Sequence, residues 1–359
     1  MKLTIGTARL QALLSKAIKG AGCNDVIPKT GLISIKLHEG ELTLTTTDDT
    51  NWLTLIENGV SGDEFYVAVK VDLLTKLVSK MTCENVTLEV TDSSLEVSGN
   101  GKYQIALDIE DDGSLVKLTN PADNFKTGHK IGTVNNGTVR TILTSVKPAL
   151  ATDADESPWN INYYVGNNVT ATDSYTVADY KGGFLSEPKL ISPIVMDLLG
   201  LFSDSVIDVW ADGDKMMFIS DSGTLYSIIP DGIEHYSIED INALVSQKFG
   251  FSCTVVKSAL LNLLDRIALF VGIYDNGMIT LVFGKDGLTV ESRYATETIP
   301  YVKNDDSDEF VCKTDVATLV TQVKAQTGSE ITIEYGEENA IKIIDGDITS
   351  VIALLTEED

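Results

Sequence analysis

Three stretches of this chain share one layout: NVTLEVTDSSLEV (85–97), SVIDVWADGDKMMFI (205–219) and EITIEYGEENAIKII (330–344). Each is an alternating strand, a turn of Asp, Gly, Asn, Ser or Glu, and a second alternating strand, the pattern of a β-hairpin. Their first strands begin at Val86, Val206 and Ile331, which are 120 and 125 residues apart. A helical pattern precedes each hairpin: DLLTKLVSKM, SPIVMDLLGLF and TDVATLVTQVKAQ. Ser192 with Pro193, and Thr314, supply N-terminal helix signals. A second helical pattern opens each unit (ARLQALLSKAIKG, TVRTILTSVK, KSALLNLLDRIALF), and a strand pair carrying ELTLTTTD (41–48), NVTATDS (168–174) or DGLTVESR (286–293) follows it. Self-similarity at this period predicts three tandem copies of one α+β unit. The breaks fall near 120–126 and 242–250, so the expected domains are 1–121, 122–245 and 246–359. A length of 359 residues suits several cores better than one.

The rest of the composition narrows the classes. The most apolar stretch, ALLNLLDRIALFVGIY, is interrupted by Asn262, Asp265 and Arg266, so it reads as a buried amphipathic helix and no membrane partner is expected. MKLTIG begins like a strand and lacks the apolar region of a signal peptide. Four cysteines lie far apart with no C-x-x-C pair, the usage of reduced thiols in a cytoplasm. His38, His129 and His235 are isolated from one another, so no metal and no cofactor is expected. No nucleophile-elbow, Walker or dinucleotide-binding pattern occurs, and NDDSDE (304–309) lacks the glycine and spacing of a calcium loop. No catalytic residue is assigned.

Charge is distributed by secondary structure. The chain carries 53 Asp and Glu against 27 Lys and Arg, a net −26. The six helical windows with their entry turns (8–20, 70–80, 139–150, 189–202, 257–270, 313–326) hold 13 basic and 4 acidic residues, leaving 14 and 49 elsewhere. In the first helix Leu10, Leu13, Leu14, Ala17 and Ile18 share one face, and Arg9, Lys16 and Lys19 project from the other. Lys76 and Lys80 share a face at i, i+4 spacing. Arg140 and Lys147 flank their helix's apolar stripe, and Lys257, Arg266 and Lys324 belong to the last two windows. The window 189–202, with only Lys189, contributes little. Lys and Arg are good helix formers on any solvated face, but so is Glu, which is missing. A geometry that gathers helices on one surface and strands on another would give a basic face to a polyanion and an acidic exterior. With a Debye length of about 8 Å, the two faces act almost independently.

At this point the sequence resembles the bacterial DNA polymerase III β subunit, the sliding clamp. The resemblance covers the whole chain as a three-unit layout. It is closest at NINYYVGNNVTATDSYTVADY (160–180), similar to the family's central-domain V-A-T-D-G-H-R-L-A pattern, and at the final strand DITSVIALL (347–355). It implies a head-to-tail homodimer closed into a ring, with helices lining the hole and sheets outside. Such a ring holds duplex DNA topologically and without base readout, and has no catalytic activity of its own. It also implies a groove for short apolar peptides of polymerases and clamp loaders. The matching positions are Ile161, Thr172, Ser174, Tyr175, Thr176 and Val177, with Ile238, Ala353 and Leu355 opposite. Ser174, Tyr175 and Thr176 stand where the family has Gly-His-Arg, the C-terminal strand lacks the family's proline, and the loop ATDADESP (151–158) is acidic where neutral or basic residues are implied. For dimer closure the resemblance points to the strand KYQIALDI with Tyr103 and Ile105, and to Leu269 and Phe270 in the third domain.

Other classes remain open from the residues alone. A glycoside hydrolase needs two carboxylates about a bond, for which Asp173 and Glu291 are candidates. A virion protein of tandem β domains would be equally acidic but predicts no basic helices. A DNA mimic would carry acids on the helices too.

Overall fold

The computed structural model describes every residue except 25, 111, 126–127, 153–157, 272–276, 304–308, 338 and 356–359. The element order runs three times through one cycle. The first pass is β1 (Lys2–Gly6), α1 (Thr7–Ala17), β2 (Leu32–His38), β3 (Glu41–Thr47), β4 (Asn51–Asn58), β5 (Phe65–Lys70), α2 (Val71–Ser79), β6 (Asn85–Val90), β7 (Ser94–Ser98) and β8 (Lys102–Ala106). The second is β9 (His129–Val134), α3 (Asn136–Thr141), β10 (Tyr163–Val165), β11 (Val169–Thr172), β12 (Thr176–Tyr180), β13 (Lys189–Ile191), α4 (Pro193–Leu199), β14 (Ile207–Asp212), β15 (Lys215–Ser220) and β16 (Gly223–Ile228). A helix α5 (Ile238–Ser246) then precedes the third pass. That pass is β17 (Phe251–Val256), α6 (Lys257–Ile267), β18 (Met278–Phe283), β19 (Leu288–Glu291), β20 (Thr296–Ile299), β21 (Val302–Lys303), β22 (Phe310–Asp315), α7 (Val316–Ala325), β23 (Glu330–Tyr335), β24 (Ala340–Asp345) and β25 (Ile348–Ala353).

The chain forms two compact units, Met1–Asn136 with Ile194–Ile229, and Gly137–Pro193 with Pro230–Asp359. The first unit has a four-stranded sheet, β1-β6-β7-β8, and an eight-stranded one, β5-β2-β3-β4-β16-β15-β14-β9. The second has a nine-stranded sheet, β13-β10-β11-β12-β25-β24-β23-β17-β21, and a four-stranded one, β20-β19-β18-β22. Every described pairing in them is antiparallel. In each unit one central pairing joins strands from successive passes: β4 with β16 (Trp52 opposite Tyr226) and β12 with β25 (Val177 opposite Val351).

The helices form for the reason their spacing suggests. Leu10, Leu13, Leu14 and Ala17 of α1 are buried, and Leu260, Leu263, Leu264 and Ile267 of α6 repeat the same pattern. α1 packs on α2, whose Val71, Leu74 and Val78 are fully buried. Gln11 Nε2 on α1 donates to the carbonyls of Val78 (2.9 Å) and Met81 (3.1 Å), which ties α1 to the end of α2 and the turn after it. In the second unit, Phe283 and Tyr335 stack at 4.1 Å within one apolar core that also takes in α6 and α7.

Two local expectations need correction, and a third segment holds a helix the sequence reading left out. Window 139–150 is not one α-helix: α3 passes into a π turn (Ile142–Val146) and a 3-10 turn (Lys147–Ala149), because Pro148 has no N–H to continue the ladder. Thr314 does not cap α7. It is buried in β22, and the Asp315 carboxylate accepts from Thr318 N at 2.7 Å instead. The break expected at 242–250 is half occupied by α5, whose Ile238, Ile241, Leu244 and Val245 carry a readable helical spacing. The acidic runs 153–157 of the loop 151–158 and 304–308 of the run 304–309 lie outside the described residues.

Candidate nucleic-acid interface and peptide groove

The helix cations divide into engaged and unengaged. In the first unit Arg9 is paired with Glu57 and also donates to the Asn58 carbonyl, and Lys76 reaches Asp72 at 2.6 Å. In the second, Arg266 grips Glu297 with two nitrogens (Nε to Oε2 2.9 Å), Lys324 lies 4.0 Å from Asp265, and Lys257 donates to the carbonyls of Lys324 and Gln326. The hydrogen-bonded Arg266 guanidinium holds the Glu297 carboxyl below the usual carboxylate range. Lys147 is half-buried in its 3-10 turn. Among the described residues, Lys16, Lys19, Lys80 and Arg140 have no carboxylate within ion-pair distance. Sequence spacing identified the cations but not Glu57 or Glu297, which come from β4 and β20.

The carried-over groove positions converge in the second unit around one turn. Asp173 Oδ1 accepts from Tyr175 N (2.9 Å) and Thr176 N (2.6 Å), and Thr172 Oγ1 donates to the Thr176 carbonyl (2.7 Å). Ser174 takes φ +77°, a left-handed conformation in which glycine is the usual residue. Asn160 Nδ2 donates to Ser174 Oγ (3.1 Å), which brings the segment with the half-buried Ile161 to the turn. On the far side Ala353 N donates to the Tyr175 carbonyl (2.8 Å), so β25 runs directly beside the turn with Ala353 and Leu355 half-buried. The Tyr175 side chain is 71% exposed. Asp173, weighed as a glycosidase acid, is engaged as the turn's cap.

The residue set was incomplete. Val177 is covered by a cluster containing Tyr236, Ile241, Phe249, Ala340 and Val351, against which Ile238 packs. α5 therefore covers Val177, with Ile238 in the same wall, while Tyr175 stays exposed. Its exit is tied down by Lys342, whose ammonium donates to the Gln247 carbonyl, lies 3.3 Å from Glu334 and sits 4.6 Å over the Phe249 ring. Beneath Tyr236, Asp179 is buried and accepts from Thr170 Oγ1 (2.7 Å) and Asn168. Burial raises its pKa above the ordinary value. The neutral acid is thus favoured by folding. That stability is full below the unfolded value of about 3.9 and is lost as pH rises through the folded one. Asp179→Asn, which keeps an acceptor for Thr170, is expected to raise Tm at pH 7 and to leave it unchanged near pH 3, as differential scanning calorimetry would show.

At the dimer positions, Tyr103 (42%), Leu269 (81%) and Phe270 (49%) are exposed, while Ile105 is only 3% exposed. The Ile105 side chain belongs to its own core, which leaves the Tyr103 side chain and the backbone of that edge strand exposed.

No family model matches the sequence, and no curated protein does. Solved structures do, over the whole chain. The DNA polymerase sliding clamp from Bacillus subtilis is 18% identical, with 99% of each chain covered and a TM-score of 0.82. The β subunit from DNA polymerase of Streptococcus pyogenes is 13% identical, covering 99% of this chain and 100% of that one at 0.83. The DNA polymerase III β subunit from Thermotoga maritima is 15% identical, with 99% of each covered at 0.80. The chain has the fold of the DNA polymerase III β sliding clamps.

Proposed function

We propose that this protein is a replication sliding clamp, a non-catalytic processivity factor that encircles duplex DNA as a homodimer and tethers a polymerase through its second-unit groove. The observation that carries the reading is the clamp fold over 99% of the chain. The three domains are taken as 1–121, 122–245 and 246–359, and the place of action as the cytoplasm. Lys16, Lys19, Lys80 and Arg140 would face the duplex. Modest positive charge in a bore suits sliding, because many tight phosphate contacts would stall it.

The sheets support a closed dimer. In both joins within the chain, the last strand of one pass's three-strand meander pairs with the last strand of the next pass's hairpin sheet: β4 with β16, then β12 with β25. By the same rule β20 of the third pass and β8 of the first are left at sheet edges. An unpaired edge is normally covered, and a second copy would cover both.

The test is topological. Protein assembled around a closed plasmid, by dilution and reconcentration, should co-elute with the circle at about 0.5 M salt, where the Debye length is about 4 Å. It should be released by one restriction cut. Equal retention on circular and linear DNA would refute the encirclement.

A further inference from the structure

The segments that build the proposed groove are 158–177, 230–247, 334–341 and 353–355, and their 49 residues include no Lys or Arg. At the chain's frequency of 27 in 359, that length would carry about four. Acids are not thinned in the same way. Asp173 sits in the turn itself. Asp231 is exposed, and Glu234 stands 3.5 Å from His235, whose ring lies 4.6 Å from that of Trp159. Trp159 directly precedes the Asn160 that bonds Ser174. Glu239 and Asp240 occupy the first turn of α5, next to Ile238, and both are exposed. Glu337 lies two residues before Asn339, whose carbonyl accepts from Leu354 N (2.8 Å). Carboxylates therefore stand by the turn, along α5 and beside β25.

The neighbouring cations do not offset them. Lys342 is buried against Phe249 and engaged by Gln247 and Glu334. Lys313 meets the groove through its carbonyl, which accepts from Leu355 N (3.0 Å), and Lys248 follows α5. With His235 set against Glu234, and Lys248 and Lys313 counted in full, Asp173, Asp231, Glu239, Asp240 and Glu337 remain against two ammonium groups.

We infer that this groove selects partner peptides whose apolar anchor is flanked by lysine or arginine. The apolar half is supplied by Ile161, Ala353 and Leu355, which are half-buried, and by the exposed Tyr175. A lysine beside the anchor lays its methylene stem along such a surface and keeps its ammonium at the rim. Opposite charge there speeds encounter and rejects a wrongly charged partner. The inference rests on the proposed reading of this groove as a peptide site, and adds what the peptide carries.

Calorimetric titration of the full chain compares Ac-Lys-Lys-Leu-Val-Leu-Lys-Lys-NH2 with counterparts bearing glutamine or glutamate at the four lysines. At about 0.1 M salt, where the Debye length is about 10 Å, the lysine peptide should bind about tenfold or more tightly than the glutamine one. The glutamate peptide should give no saturable heat. Glu239→Lys combined with Asp240→Lys should remove the preference. Glu234→Lys combined with Glu337→Lys, which leaves α5 untouched, should do the same and decides if the first pair disturbs the helix. Asp212→Lys combined with Asp214→Lys is an equal charge change at an exposed first-unit hairpin turn and should have no effect. Equal affinity for the lysine and glutamine peptides overturns the inference. So does equal weakening by the first-unit pair, which would mean that net charge alone attracts the peptide. Failure of the groove reading registers differently. Leu355→Asp should abolish binding of both peptides, and binding that survives it, or no saturable heat with any peptide, would remove the site and the inference together.

Discussion

A chain carrying both Tyr103→Cys and Glu297→Cys is expected to oxidise to a covalent dimer of about twice 38.8 kDa on a non-reducing denaturing gel. The two internal joins set the register. Leu107 N, Ile229 N and Leu354 N each donate back across their hairpin, to the carbonyls of Ser93, Asp214 and Asn339, which makes Ile228, Ala353 and Ala106 equivalent. At the turns, Asn51, Thr176 and Ala295 correspond, since Ser292 N donates to Ala295 O (2.8 Å) as Asp48 N does to Asn51 O (3.2 Å). Leu53 lies opposite Leu225 in the first join, so Glu297 would lie opposite Tyr103 of the second copy. Such a pair falls between the closely bonded ones, with Cα atoms about 4.5 Å apart, inside the roughly 4.4–6.8 Å that a disulfide spans. Gln104→Cys with Glu297→Cys is the control: a one-residue shift turns the side chain to the opposite face, and no cross-link should form. Cross-linking of both pairs, or of neither, would remove the register and with it the proposed closure.

Reversing Lys16, Lys19, Lys80 and Arg140 together to glutamate is expected to lower affinity for a short linear duplex roughly a hundredfold or more at low salt. The plot of log K against log salt should lose a slope of about 3–4, because each phosphate contact contributes about 0.9. Arg9, Lys76 and Arg266 changed to glutamine should matter far less, since Glu57, Asp72 and Glu297 already neutralise them. Stability should stay within about 0.5 kcal/mol per site, since all but the half-buried Lys16 are exposed. Fluorescence anisotropy across a salt series measures both sets. Equal losses in the two sets would show that intramolecular pairing does not decide which cations meet DNA.

Much of this architecture was legible because it depends on short-range pattern. The hairpins at 85–97, 205–219 and 330–344 follow from period-two alternation around Gly, Asp and Ser turns. α1 and α6 follow from leucines at three- and four-residue spacing. What was illegible depends on long-range partners. Nothing near Arg9 in sequence announces Glu57, and nothing in KYQIALDI says that Ile105 is buried while Tyr103, two residues along the same face, stays exposed. α5 is a different kind of omission. Its spacing was present, but the break placed at 242–250 cuts through it, so the helix lying over Val177 went unseen.

The joins within each unit are backbone ladders, with side chains such as Trp52 and Tyr226 packed across them. A break between β4 and β16 would strand two rows of amide and carbonyl groups at once, whereas a loosened apolar contact could slip by degrees. Cooperative opening should accordingly follow the sheets and cut across the threefold duplication. The piece of middle repeat bearing β14–β16 would melt with the strands of the first, and the piece bearing β10–β12 with those of the third. Evolution of a single repeat is thereby constrained from both neighbours, and an excised central copy would be two half-sheets with no partner for either.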